Sequence, residues 1–248
     1  MSLEPNTFEF NLFFILTIIL LVAKFLIIVY IGVKIYSRKK ETGKMTFGFM
    51  TSVFILFICL FISRLIYTMW DFLLTEFDPS RFYIMPNVIY WKIGALINAF
   101  GYAIVLFTID KKIFDFKFKG IFADIVIIVG IVQIIYPTNS SQDFDVISTI
   151  SLLSNVISIV FPTMFFYIGL KSPQSSGYRK LAFLIAIGVI IYAIGSNLVI
   201  EAFIIALESI FGTNTRITLY FLFLVFKITG LIILTNGVIA FVQKFSKM

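Results

Sequence analysis

Seven long apolar runs divide this chain, and they constrain its fold more than any other feature. All but the fourth exceed the roughly 20 residues that a helix needs to cross the hydrocarbon core of a bilayer. Because backbone groups inside lipid must be satisfied within their own segment, each run is predicted to be a helix. The predicted transmembrane helices cover residues 10–36, 49–74, 88–109, 121–136, 146–170, 181–211 and 217–242.

The composition also indicates that lipid surrounds most of the chain. Hydrophobic residues make up 60% of the sequence and charged residues 13%, whereas soluble domains are nearer half and a quarter. The chain has no histidine and one cysteine, Cys59, which excludes histidine-based catalysis, histidine metal ligands and an intramolecular disulfide. We therefore predict an all-α integral membrane bundle, with residues 1–248 forming one seven-helix domain.

Charge alternates between successive connections of the predicted bundle. Lysine and arginine concentrate in the first, third and fifth connections and in the C-terminal tail, whereas acidic residues concentrate in the others. The positive-inside rule then predicts a multi-pass protein of the plasma membrane, with its N-terminus outside and its C-terminus in the cytoplasm. Basic residues in short loops beside apolar helices predict contact with anionic lipid headgroups and argue against binding to nucleic acid.

Six of the charged residues inside the apolar runs stand out, because a Lys, Arg or Asp at the centre of a helix costs roughly 2.5–3.5 kcal/mol on insertion scales. Chain direction places five of them between the midplane and the outer surface of the predicted bundle. Asp124 is the exception, because it lies near the cytoplasmic end of its run and is predicted to be interfacial. The six are Lys24, Arg64, Lys92, Asp124, Glu201 and Lys227.

The five outward-lying charges predict an intramembrane binding site. Cations outnumber Glu201, the one acid among them, by four to one, so a carboxylate or phosphate ligand would complete the charge balance. A purely structural ion network of Arg64, Glu201 and Lys227 is the alternative, and Lys92 alternatively reaches the outer interface. Polar helix faces add three asparagines to the site. The predicted ligand-binding residues are Lys24, Arg64, Lys92, Asn98, Asn155, Asn197, Glu201 and Lys227.

Small residues on the later helices predict close helix packing. Gly188 and Gly195 recur at helical spacing in the sixth run, and Gly230 and Gly237 do so in the seventh. The step Gly195-Ser196-Asn197 marks the place where the sixth helix would unwind, but we expect that helix to continue over residues 181–211.

Lys227 lies midway along the seventh run, in the string Leu224-Val225-Phe226-Lys227-Ile228-Thr229-Gly230. In this position of the lysine the run resembles the last helix of microbial rhodopsins. That resemblance implies retinal bound to Lys227 as a Schiff base. The chain departs from the family one turn earlier, where Phe223 replaces the usual carboxylate, which leaves Glu201 as the available counterion. No other cofactor and no metal ligands are predicted.

The chain also resembles the seven-helix sensor regions of prokaryotic signalling proteins and uncharacterised seven-helix proteins of archaea. The stretches Tyr90-Trp91-Lys92-Ile93-Gly94 and Phe107-Thr108-Ile109-Asp110-Lys111 carry this resemblance. It implies a sensor or receptor, and together with the surplus of cations inside the runs it predicts a receptor that binds a small anionic ligand and signals to a separate cytoplasmic partner at the basic loops. The alternative is a transporter of a small anion. An enzyme ranks third, because no nucleophile–base pair or paired carboxylates appear at a suggestive spacing.

Overall fold

Every regular element of the computed structural model is helical over the residues it describes, which are 3–42, 48–155, 157–173, 177–212 and 215–245. Within those ranges no strand occurs, so the predicted all-α class is confirmed. The elements are α1 (Phe8–Thr42), α2 (Phe49–Met69), a π-helical segment (Trp70–Leu74), a 3₁₀ turn (Pro79–Arg81), α3 (Asn87–Ile113), α4 (Ile121–Ile135), α5 (Ser141–Asn155), α6 (Ile157–Lys171), α7 (Gly177–Asn197), α8 (Glu201–Phe211) and α9 (Thr215–Phe245).

Several of these helices indicate a multi-pass membrane protein. In the described ranges, five helical stretches are long and apolar enough to cross a bilayer, and two shorter apolar helices accompany them. The count of seven crossings and the outside N-terminus stay predictions. The five long stretches are Phe8–Glu41, Phe49–Leu74, Asn87–Ile113, Gly177–Asn197 and Thr215–Lys244, and the shorter two are Ile121–Ile135 and Ile159–Lys171.

The sixth predicted run is two helices, which corrects the expectation of one continuous helix over residues 181–211. Helix α7 ends at Asn197, residues 198–200 form a turn, and α8 begins at Glu201. The Ser196 hydroxyl donates to the carbonyl of Tyr192, 3.1 Å away, and the Asn197 amide donates to that of Ala193 at 3.0 Å. Short polar side chains that bond the preceding turn compete with the helix ladder, so the helix ends at the predicted weak point.

The fifth predicted run, residues 146–170, corresponds to α5 and α6. These helices lie on either side of residue 156, which is outside the described residues. Helix α5 begins five residues before the predicted run, at Ser141, because a capping box starts it there. Ser140 and Asp143 exchange hydrogen bonds at 3.0 and 3.2 Å, which satisfies backbone donors that the first turn leaves open.

The chain divides into two compact units. Unit 1 consists of Met1–Ile27 and Ser158–Met248, and unit 2 consists of Ile28–Ile157. Unit 1 therefore holds the first part of α1 together with α6 from Ser158 on, α7, α8 and α9. Unit 2 holds the rest of α1 with α2, α3, α4 and α5.

Close contact between α7 and α9 forms the centre of unit 1. A Cβ added at Gly230 would lie 2.5 Å from the backbone nitrogen of Tyr192, and one at Gly188 would lie 2.6 Å from that of Leu234. Only glycine lets two backbones approach so closely. The predicted packing role of the glycines on these two helices is therefore confirmed.

Helix α3 is the centre of unit 2 and packs against both α2 and α4. A Cβ added at Gly101 would lie 2.6 Å from the Cβ of Cys59, so a glycine is needed where α3 crosses α2. The buried Ser63 hydroxyl donates to the carbonyl of Gly94 at 2.9 Å, which ties the two helices together. Near the start of α3, Trp70 and Phe144 stack in a buried aromatic cluster.

Candidate functional site

Two lysine ammonium groups converge on one tyrosine ring in unit 1. The Nζ atom of Lys227 lies 4.8 Å from the centroid of the Tyr192 ring, and that of Lys24 lies 6.0 Å from the same centroid. Lys227 Nζ also lies 5.2 Å from the centroid of the Phe223 ring. Both lysines belong to the predicted site, and the structure brings these two together.

The helix crossing of unit 1 fixes the position of Lys227. A Cβ added at Gly195 would lie 3.1 Å from the Cγ and the backbone nitrogen of Lys227, so the lysine stem packs directly on α7. Phe13 of α1 stacks on the buried Tyr220 of α9, with ring centroids 4.4 Å apart. This contact holds α1 against α9 three turns before Lys24, which is itself only 5% exposed.

The chemistry of this pair favours an anion over a metal ion. Two ammonium groups that lie near the same ring repel each other and repel cations, whereas both attract a carboxylate or phosphate. The aromatic rings stabilise the cations through their negative faces. Across the described residues, no group of three or more cysteine or acidic side chains could hold a metal ion.

A bidentate ion pair joins α8 to the start of α9 in the same unit. Arg216 Nε donates to Glu208 Oε1 at 3.0 Å, and its Nη2 donates to Oε2 at 3.1 Å. Arg216 is 3% exposed, and the parallel fork geometry makes such a pair stronger than a single contact. The pair therefore fixes α8, the short helix after the turn at residues 198–200, against the helix that carries Lys227.

Arg64 pairs with an acid of its own helical stretch in unit 2. Its Nη1 atom lies 3.7 Å from Oδ2 of Asp71, and both side chains are mostly buried. Asp71 lies in the π-helical segment, which the N–H of Thr75 closes by donating to the Trp70 carbonyl at 3.0 Å. An acid seven residues after an arginine lies on the same helix face, so the sequence spacing already contained this signal.

Lys92 of unit 2 binds the end of a neighbouring helix. Its ammonium donates to the carbonyl of Tyr136 at 2.6 Å and contacts that of Ile134 at 3.4 Å. Both carbonyls lie at the C-terminus of α4, where the last carbonyls lack partners within the helix and carry partial negative charge. This contact gives Lys92 a structural role that does not require a ligand.

The predicted asparagines and Glu201 are placed as follows. Asn98 is half-buried in α3, and its Oδ1 atom has no hydrogen-bond partner among the described residues. Asn197 is exposed and bonds its own helix. The side chains of Asn155 and Glu201 lie outside the described part of the structure, so their roles stay predictions.

The eight predicted site residues are divided between the two units. Unit 1 contains Lys24, Asn197, Glu201 and Lys227, and unit 2 contains Arg64, Lys92, Asn98 and Asn155. A single site with all eight therefore stays a prediction. Tyr192, the shared contact of the two lysines, was not predicted from the sequence. Gly188 lies one helical turn before it on α7 and did indicate that this helix face is a packing surface.

Outside the membrane-spanning segments, hydrogen bonds perturb two carboxylates. The backbone N–H of Asn139 and the hydroxyl of Ser140 hold the pKa of Asp143 below its ordinary value, because both donate to the charged form. The Ser80 hydroxyl and N–H likewise lower the pKa of Asp78. Both carboxylates organise turns, at the start of α5 and at the 3₁₀ turn, and neither contributes to the lysine site.

Comparison of the chain with protein-family models, with curated proteins and with solved structures gives no match. The resemblances to microbial rhodopsins and to prokaryotic seven-helix sensor regions therefore stay predictions.

Proposed function

We propose that the protein is a multi-pass membrane receptor that binds a small anion between Lys24 and Lys227 of unit 1. The proposal includes seven membrane crossings with the N-terminus outside, as the charge distribution predicts. The convergence of both ammonium groups on Tyr192 is the observation that carries it. The ligand class is a carboxylate or a phosphate, because these anions match two ammonium donors.

The binding site rests on side chains that two different helices supply. Lys24 is on α1 and Lys227 is on α9, so an anion held by both would pull the two helices toward a single geometry. A ligand shifts a conformational equilibrium only by its difference in affinity for the two states. An anion that requires both ammonium groups would bind more weakly when α1 and α9 move apart. It would therefore favour the state in which the two helices are close.

Helix α9 supplies a route for the signal. It runs without interruption from Thr215 to Phe245, so a displacement at Lys227 reaches the basic end at Lys244. There, the Tyr178 hydroxyl donates to the Lys244 carbonyl at 2.9 Å. A separate cytoplasmic partner would bind at this basic end, where the predicted topology places it inside the cell.

Thermal stabilisation by anions tests the proposal. Purified protein in neutral detergent is melted with increasing inorganic phosphate or succinate, with sodium chloride used to match the ionic strength. We expect saturable stabilisation, and we expect Lys227→Met and Lys24→Met each to weaken the apparent affinity by about tenfold or more, because each removes a charge-assisted contact.

Lys244→Met is the matched control, because Lys244 also lies over a tyrosine ring of the same unit, at 5.5 Å from the centroid of Tyr178. The control variant should bind the anion as the unaltered protein does. Equal stabilisation of all four proteins, or none in the unaltered protein, would contradict the receptor proposal.

A transporter of a small anion is the second candidate, and the turn between α7 and α8 favours it. Interrupted helices that expose backbone groups to a cavity are a common device of transporters. Lys227 packs against Gly195, three residues before the turn at 198–200. Uptake of radiolabelled phosphate or succinate into proteoliposomes, lost in Lys227→Met and kept in Lys244→Met, would favour the transporter, whereas binding without uptake favours the receptor.

A further inference from the structure

A groove with a volume of about 220 Å³ lies between α1 and α2 in unit 2. It belongs to neither the lysine site nor the Arg64–Asp71 pair. Six residues line it, and they are Gly32, Ile35, Tyr36, Lys39, Thr51 and Phe54. Its walls are therefore mainly apolar, with one cationic side chain at one end.

The lining residues place polar and apolar groups at opposite ends. Lys39 lies in the last turn of α1, and Gly32 lies two helical turns earlier, roughly 10 Å along the axis at about 1.5 Å per residue. The groove therefore extends from the charged helix end toward the hydrophobic middle of α1. An amphiphile with an anionic head and an apolar chain matches this arrangement, because its head would lie at the charged end of the groove and its chain at the apolar end.

The absence of a side chain at Gly32 helps to form the groove. A Cβ added there would lie 3.4 Å from Cε2 and 3.7 Å from Cζ of the Phe54 ring, which is ordinary van der Waals contact. A larger side chain at this position would fill the space beside Phe54. Tyr36 is 69% exposed next to Lys39, as expected for an aromatic ring at the level of the headgroups.

The positive charge at the Lys39 end of the groove favours lipids with anionic headgroups. The last turn of α1 contains Lys39 and Lys40, with Arg38 before them and Glu41 after them, so cations outnumber acids at this helix end. Basic residues at the membrane surface attract anionic headgroups over zwitterionic ones. Among these cations, only Lys39 lines the groove.

We propose that this groove is a binding site for one anionic phospholipid, with its phosphate at Lys39 and an acyl chain lying along Gly32, Ile35 and Phe54. The site is independent of the anion site in unit 1. The lipid would pack the basic end of α1 against the start of α2.

Retention of lipid in detergent tests this proposal, because no bilayer surface then contributes a diffuse attraction. The protein is exchanged from mixed micelles that contain equal amounts of phosphatidylglycerol and phosphatidylcholine with the same acyl chains. Native mass spectrometry then counts the bound lipids. We expect one retained lipid, with phosphatidylglycerol preferred about fivefold, the effect of roughly one lysine at a membrane surface.

Three variants separate the parts of the site. Lys39→Ala should abolish the preference for phosphatidylglycerol, and Lys40→Ala, which alters the neighbouring cation outside the groove, should keep it. Gly32→Leu should abolish retention of both lipids. Ile35→Trp fills the same groove from its side wall. It is used in place of Gly32→Leu if the melting temperature of Gly32→Leu shows that this variant does not fold.

Two results would overturn the proposal. Equal loss of preference in Lys39→Ala and Lys40→Ala would mean that a diffuse surface charge, rather than a groove, binds the lipid. Undiminished retention in both groove-filling variants would mean that the acyl chain lies elsewhere.

Discussion

Lys92 Nζ lies 2.6 Å from the backbone carbonyl oxygen of Tyr136, 44 residues further along the chain. The contact joins α3 to the C-terminus of α4 inside unit 2. A cation at this position satisfies a carbonyl that α4 cannot satisfy by itself, and it opposes the negative end of the helix dipole. Lys92 thus resembles a helix cap made by a distant side chain.

Removing this cap should destabilise the protein. Lys92→Met keeps the length and apolar stem of the side chain but removes its donors, so we expect a loss of about 1.5–3 kcal/mol, the usual range for a hydrogen bond from a charged group. Denaturant unfolding in detergent, followed by circular dichroism, measures the free energy. Lys112→Met, at an exposed position near the end of α3, is the control and should change it little.

The crossing of α7 and α9 should not tolerate even one methyl group. Gly230→Ala would place a Cβ 2.5 Å from the backbone nitrogen of Tyr192, so the helices must separate. Overpacking of this kind typically costs about 1–3 kcal/mol. The melting temperature should fall.

Gly32→Ala is the comparison for that prediction. Its new Cβ meets the Phe54 ring at an ordinary 3.4 Å, and alanine is a better helix former than glycine. This variant should match or exceed the unaltered protein in melting temperature. A stable Gly230→Ala would show that α7 and α9 do not cross so closely.

Acid should loosen the start of α5 through Asp143. Hydrogen bonds lower its pKa in the folded protein, so the stabilisation is fully present above the pKa of the unfolded chain. It is lost as pH falls through the lower pKa of the folded state. Melting temperatures measured from pH 6 down to pH 3 should therefore fall less steeply in Asp143→Asn than in the unaltered protein.

Asp145→Asn controls for the loss of one acidic charge near the same helix start. The Asp145 carbonyl, which this change leaves intact, accepts the hydroxyl hydrogen bonds of Ser148 and Thr149 at 2.9 and 2.8 Å. We expect the pH profile of this variant to follow that of the unaltered protein. An identical flattening in both variants would mean that total charge, rather than the capping box, sets the profile.

Retinal should not form a visible pigment on Lys227. The residue one turn before it, Phe223, is apolar and 1% exposed, so this position provides no carboxylate to stabilise a protonated Schiff base. Addition of all-trans-retinal to the purified protein should leave only the absorption of the free aldehyde. A new visible band that Lys227→Ala removes would restore the rhodopsin interpretation.

The sequence located helices well wherever an apolar run was uninterrupted. The second predicted run, residues 49–74, has the same bounds as the membrane-length stretch Phe49–Leu74. The break after Asn197 was harder, because it depends on side chains that bond their own backbone rather than on hydropathy. The step Gly195-Ser196-Asn197 indicated where the helix could break, but it did not show that the break would occur.

The contacts of the candidate site were harder to predict from the sequence, because they join segments that are far apart in the chain. The partner of Lys92 is a backbone carbonyl, which no residue pattern distinguishes. Tyr192 meets Lys227 only because glycines bring α7 and α9 close together. By contrast, Arg64 and Asp71 share one helical stretch, so their pairing follows from helix periodicity.

The π-helical segment Trp70–Leu74 affects how the chain would respond to the loss of a residue. A π turn holds one residue more than an α turn between the same hydrogen-bonded groups. Deleting Leu73, which is 65% exposed, would let this turn tighten into ordinary α-helix without moving Arg64 or Asp71. A single-codon deletion, harmful in most buried helices, would here be absorbed within one turn.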